Sequence, residues 1–197
     1  MNNLGILLTL IFTLTFPTFG AGGNASLATI PQNCNSTLHH SCYICGGCGC
    51  YYYWDDCYWT EGASSGVTYV GDIPCANNYG WDMGQGWSQT LSRTFTADNS
   101  HPSWELDFQV YFEDPHHDWF NQLNAIVYVT HANGATSIYH LWSHVGSDPA
   151  GSLYCVRAYG TFYAVSGDVI TIEFKSSKMN EDTHIRVNNI IVWGNPF

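Results

Sequence analysis

The chain has 197 residues, enough to bury roughly 70% of its unfolded surface within one domain. Sixteen acids stand against five Lys plus Arg, a formal net charge of -11, which repels phosphate backbones and anionic bilayers and so argues against nucleic acid and membrane surfaces as partners. Charged residues make up 11% and aromatics 16%, with 13 Tyr and 8 Trp, so the surface is sparsely charged and a share of the rings is expected on it, as contacts for sugar rings or neighbouring proteins.

At the start of the chain, Leu4 to Phe16 is apolar and is followed by Pro17 and small residues suited to cleavage after about Gly20 or Gly23. Residues 1–23 are expected to be a secretory signal peptide. The stretch has no Lys or Arg before its apolar run and alternates Leu8, Leu10, Phe12 and Leu14 with Thr9, Ile11, Thr13 and Thr15, so a retained N-terminal strand is the alternative. No later apolar run is long enough to span a bilayer. Asn24-Ala-Ser and Asn35-Ser-Thr are glycosylation sequons, which suit a secreted chain.

Residues 24–75 form a cysteine- and aromatic-rich segment, and residues 76–197 are expected to be the globular body. The cysteines are Cys34, Cys42, Cys45, Cys48, Cys50, Cys57, Cys75 and Cys155. An even number in an extracellular chain points to disulfides. Seven of them precede residue 76, so if all pair within the chain, at least one from the cluster must bond to Cys155. Zinc is the rival, because Cys42-x-x-Cys45 and Cys45-x-x-Cys48 have ligand spacing beside His39 and His40. The two pairs overlap on one cysteine, and disulfides are preferred. The staple would hold Tyr51, Tyr52, Tyr53, Trp54, Tyr58 and Trp59, some filling a small core and others forming an aromatic contact face.

From residue 67 onward the apolar period is two. In 104–113, Trp104, Leu106, Phe108, Val110 and Phe112 alternate with Glu105, Asp107, Gln109, Tyr111 and Glu113, a strand with one buried face. Similar runs are read at about 67–73, 88–97, 123–131, 136–144, 153–165, 168–175 and 184–193. Asn133-Gly134 is a two-residue hairpin signal, and 166–168 marks another turn. The body is therefore expected to be all-β, an antiparallel β-sandwich of jelly-roll type with an Ig-like sandwich as the alternative.

The runs LDFQVYFEDPHHDW, AIVYVTHANG, ITIEFKSS and NEDTHIRVNNIIVW, spanning about 105–193, resemble the lectin-like β-sandwich modules of protist extracellular and cell-surface proteins. The resemblance implies a cell-surface or matrix role and no reaction.

A nucleophile needs a neighbouring base and an orienting group. No serine here sits in a strand–turn–helix elbow and no cysteine is expected to be free, so the protein is read as no enzyme. Asp55, Asp56 and Glu113 belong with the loop acids that pairing for glycoside hydrolysis would require, and loops are where acids are merely soluble. His140 and His144 are four apart, which on a strand puts both on one face; with His116, His117 and His131 they are weighed as transition-metal ligands and set aside for want of a shared spacing. Calcium is the preferred metal, with Asp114 and Asp118 in one loop and Glu181 and Asp182 in another as hard oxygen ligands that a sandwich can bring to the same end.

Taken together, the expected function is that of a secreted structural glycoprotein that associates with copies of itself or other extracellular proteins in a coat or filament. Residues 24–33 would serve to extend a neighbour's sheet edge. The alternative is a carbohydrate-binding module for neutral glycans, with Trp119, Trp142, Trp193 or the 51–59 cluster stacking on sugar rings. Trp104 and Trp142 are otherwise assigned to the core.

Overall fold

A computed structural model describes residues 39–42, 50–53, 59, 62–71, 73–75, 79–97 and 103–195, with side chains from Trp59 onward except those of Trp193 and Asn195. The expected signal peptide, both sequons, residues 24–33, Cys34, Cys45, Cys48, Cys57, Trp54 and Tyr58 lie outside the described residues.

The described chain is built of strands: β1 (His39–Cys42), β2 (Cys50–Tyr53), β3 (Thr68–Val70), β4 (Gly80–Asp82), β5 (Gly86–Thr96), β6 (Ser103–Glu113), β7 (Gln122–Thr130), β8 (Thr136–Val145), β9 (Leu153–Tyr163), β10 (Val169–Lys178) and β11 (His184–Asn195). One sheet runs β5-β10-β7-β8; the other centres on β4-β11-β6-β9, with β3 beside β4 and β1-β2 joined to the far half of β11. Every described pairing is antiparallel. The pairs nest: β4 with β11, β5 with β10, β6 with β9, β7 with β8. That is a long hairpin wound across two facing sheets, the connectivity of a jelly roll and not of the Ig-like alternative.

The inward pleats make the core. Trp104, Leu106, Phe108, Val110 and Phe112 of β6 are at most 1% exposed, as their alternation requires. They face Leu123, Ala125, Val127 and Val129 of β7 and Ile170, Ile172 and Phe174 of β10, which are fully buried. Phe108 lies at the middle, edge-on to Phe174 with ring centroids 4.9 Å apart and edge-on to Trp142 at 5.9 Å. Trp59, from the aromatic cluster, is 1% exposed and packs against Phe174 at 5.7 Å, so it fills the core and offers no contact face.

Bulges adjust this pattern. Ile126 pairs with His140 while Ala125 pairs with Trp142, leaving Leu141 as the extra residue. The parity of β8 therefore changes within "YHLWSH". His140 is exposed and His144 is 5% exposed, its Nε2 donating to the Gly151 carbonyl at 2.6 Å. The two histidines do not share a face, because a bulge is invisible to a period of two. The turn after β7 is also wider than its Asn-Gly pair suggests: Thr130 pairs with Thr136, Gly134 takes φ 82°, and the His131 amide bonds the Ala135 carbonyl at 2.8 Å.

On the outer side of the β6-β9-β11 sheet, Val70, Ile73, Cys75 and Tyr111 form a second small cluster with Cys155. Cys75 and Cys155 are joined by a disulfide that closes a separation of 80 residues. A loop of that length corresponds to about 4 kcal/mol of lost unfolded-state entropy. Replacing both residues (Cys75→Ser with Cys155→Ser) is expected to lower stability to urea by about that amount; equal unfolding midpoints for the two proteins would contradict a structural role for the bond.

Candidate functional site: a cleft at one end of the sandwich

Four connections meet at one end of the jelly roll: β4–β5, β6–β7, β8–β9 and β10–β11. A buried polar network ties them together. Asp114, fully buried, accepts the amides of His116 at 3.2 Å and Asp118 at 2.9 Å and the Thr183 hydroxyl at 3.3 Å. Asn121, also fully buried, donates to Thr183 Oγ1 at 3.2 Å and accepts the Met179 amide at 3.1 Å. Gly146 belongs to this arrangement by necessity, since a Cβ there would stand 1.8 Å from Asp114 Oδ2. Buried polar groups that are satisfied in this way make a rigid base.

Above that base lies a cleft of about 550 Å³. The β4–β5 turn supplies Gln85 and Gly86, the β6–β7 loop supplies His116, and the end of β10 with the following loop supplies Lys178 to Asp182. Gln85 Nε2 donates to the Met179 carbonyl at 3.3 Å, and the His116 ring is bonded to both oxygens of Asp182 at 2.8 and 3.0 Å. Asn180 donates to Asp118. Next in the chain to these residues are the two most exposed tryptophans among the described residues: Trp87, after Gly86, is 59% exposed, and Trp119, after Asp118, is 71% exposed.

The cleft wall carries its charge in compensated form. Lys178 Nζ lies 3.3 Å from Asp82 Oδ1, and Arg186 Nε lies 3.1 Å from Asp82 Oδ2. Burial alone would push the Asp82 carboxyl up, but Lys178, the Gly84 amide and Arg186 outweigh it and hold the group below its ordinary 3.8. His184 is lowered from 6.5, first by burial and then by Arg186 and Lys178, so it stands neutral beside them near pH 7.

The acids weighed as calcium ligands do share this end of the fold. The oxygens of Asp114, Asp118 and Asp182 are engaged by the amides, hydroxyl and imidazole described above, and among the described residues no three His, Cys, Asp or Glu side chains are grouped to hold a metal ion. Of the expected contact residues whose side chains are described, Trp119 is exposed, in the β6–β7 loop that also supplies His116 to the cleft. Tyr51, Tyr52 and Tyr53 lie in β2 opposite Trp193, Val192 and Ile191 of β11, and Cys42 pairs in register with Cys50; their side chains lie outside the described residues. Trp142 packs inward on Phe108. Gln85 and Lys178 carry no sequence signal of a site, because they converge only when β5 and β10 are paired.

No protein-family model matches the chain, and no curated protein matches it. Among solved structures, a xylan-binding domain from Paenibacillus barcinonensis is similar at 12% identity with a TM-score of 0.45, over 68% of this chain and 85% of that one. A Clostridium thermocellum endo-1,4-β-D-xylanase chain, carrying a catalytic module as well and complexed with xylohexaose, is similar at 8% identity and 0.47, over 67% of this chain and 24% of that one. A carbohydrate-binding module with specific mannan recognition is similar at 11% identity and 0.36, over 66% and 82%.

Because Asp82 is held below 3.8, its contribution to stability is complete above about pH 4 and is lost as pH falls through the lowered value. Asp82→Asn leaves Lys178 and Arg186 without their counter-charge, and is expected to cost roughly 3–5 kcal/mol at pH 7 and to flatten the acid side of the stability curve. Chemical denaturation between pH 2 and pH 7 measures both, and an unchanged curve would contradict the pairing.

Proposed function

We propose that the protein is a glycan-binding β-sandwich module of the extracellular space, taking neutral oligosaccharides in the cleft lined by Gln85, His116 and Lys178 to Asp182, with Trp87 and Trp119 as the stacking rings. The observation that carries this reading is a concave cleft with a few polar side chains, formed by the same turn and loop that carry the exposed Trp87 and Trp119. An exposed indole presents a flat apolar face, and the apolar face of a pyranose is a matching partner for it. A cleft of this volume with a few convergent polar groups is the usual form of a small-ligand site. Its amides, from Gln85 and Asn180, and its carboxylates, from Glu181 and Asp182, bond hydroxyls in both directions. Because Lys178 and His116 each already face a carboxylate, no uncompensated cation favours an anionic sugar.

The expected secretory start, the sequons and the sulfur-rich segment suit that setting, and the ligand would be met outside the cell. Trp87→Ala and Trp119→Ala are each expected to lower affinity for a neutral oligosaccharide about tenfold, or ~1.4 kcal/mol, with the melting temperature unchanged. Isothermal titration against a glycan panel measures it; full affinity in the double variant would remove the cleft from consideration.

A second reading, self-association in a coat or filament, is favoured by a different feature. Among the described strands β9 pairs only with β6, and along it Tyr154, Val156, Tyr159 and Tyr163 are 59%, 39%, 65% and 62% exposed. A strand edge with such a row is a template for another strand. Tyr159→Lys with Tyr163→Lys is expected to shift any polymer toward monomer in sedimentation velocity; an unaltered distribution would exclude this edge.

A further inference from the structure

At the opposite end of the sandwich, far from the cleft, three side chains stand in a line. His131, in the turn after β7, has Nδ1 2.9 Å from Asp168 Oδ2 and Nε2 2.9 Å from Ser137 Oγ. Asp168 comes from the turn between β9 and β10 and its side chain is 2% exposed, while that of His131 is 34% exposed. The carboxylate also accepts the Val165 amide at 2.9 Å, and the Asp168 backbone is bonded to Ala97 and Val165. The orienting group is thus fixed by its own turn. The turn that carries His131 is fixed as well, its amide donating to the Ala135 carbonyl and its carbonyl accepting the Gly134 amide.

The tautomer follows from these partners. An ionised carboxylate accepts only, so Nδ1 carries the hydrogen in the neutral ring, Nε2 presents its lone pair, and the Ser137 hydroxyl donates to it. We infer that Ser137 is an activated nucleophile, with His131 as its general base and Asp168 as the positioning residue, able to accept an acyl group from a small ester. The arrangement of hydroxyl, imidazole and buried carboxylate is recognised by geometry and roles on any fold, whatever the chain order. A clamp between two turns would need no more than one of the two bonds; both ring nitrogens engaged in this polarity is what proton transfer requires.

The step is as follows. Ser137 Oγ bonds to the ester carbonyl carbon while its proton passes to His131 Nε2. The bond from that carbon to the alcohol oxygen breaks, and the alcohol leaves with the proton. Water then repeats the attack with His131 as base, releasing the carboxylic acid and restoring Ser137. Ester and water become acid and alcohol. Partial exposure of His131 and of Ser137 limits the acyl group to one of about acetyl size that reaches the rim.

The test treats the whole folded protein with a fluorophosphonate probe, in which the serine oxygen displaces fluoride at phosphorus, and maps the adduct by peptide mass spectrometry. The expected result is one adduct at Ser137, absent in Ser137→Ala, slowed at least tenfold in His131→Ala, and showing in Asp168→Asn a displaced pH profile of the labelling rate. Hydrolysis of p-nitrophenyl acetate should follow the same order. Absence of an adduct at Ser137 in the folded wild-type protein would overturn the inference. So would labelling at Ser137 that proceeds at full rate in His131→Ala. Neither result bears on glycan binding at the other end.

Discussion

Burial of the inward pleats of β6 against β7 and β10 is the constraint on which the rest of the molecule depends. Phe108 is its centre, meeting Phe174 and Trp142 edge-on, and its neighbours on that face are shut from solvent along the whole strand. Because successive residues point to opposite sides, filling one face also commits the other. A slip of one residue would drive Glu105 and Asp107 into the core. Their outward placement is secured on the far side as well: Arg157 Nε donates to both oxygens of Asp107 at 2.9 Å, and Tyr111 donates to Glu113 at 2.8 Å, burial and that bond pushing the phenol up to about 12.

The nested pairing of strands gives the two ends of the sandwich different characters. At one end the connections carry an internal skeleton: Asp114 and Asn121 take up backbone amides that would otherwise be buried without partners, and the Thr183 hydroxyl links the two side chains. The cleft and its exposed tryptophans rest on that skeleton. At the other end the described turns, 131–135 and 164–168, are held by their own backbone hydrogen bonds, which keep their side chains in fixed positions. His131 and Asp168 meet there across 37 residues of chain. A rigid core with variable loops is the arrangement in which recognition and chemistry are separable from stability.

Much of the strand order is legible in the sequence. The run 104–113 reads as a strand because its large residues fall strictly on alternate positions, and it becomes β6 with the expected residues inside. The segments placed at 88–97, 123–131, 136–144 and 184–193 likewise become β5, β7, β8 and β11. By contrast, β4 is three residues, Gly-Trp-Asp, too short to show a period. Bulges defeat alternation at Leu141 and beside Cys155, whose φ is 54°, since an extra residue is set by a partner strand and leaves no local trace. Trp119 is legible as exposed because it sits among Pro, His and Asp. The Ser137–His131–Asp168 line is not legible at all, because no serine elbow marks it and its members are joined only by the pairing of β7 with β8 and β10.

The central claim is that ligand is held at the loop-rich end. It is tested most directly by mapping amide chemical-shift changes in the labelled protein while a neutral oligosaccharide is titrated in. The account predicts perturbations confined to residues 83–87, 116–120 and 178–184. Perturbations centred instead on the outer side of β9, or none at millimolar oligosaccharide across a panel of neutral glycans, would contradict it.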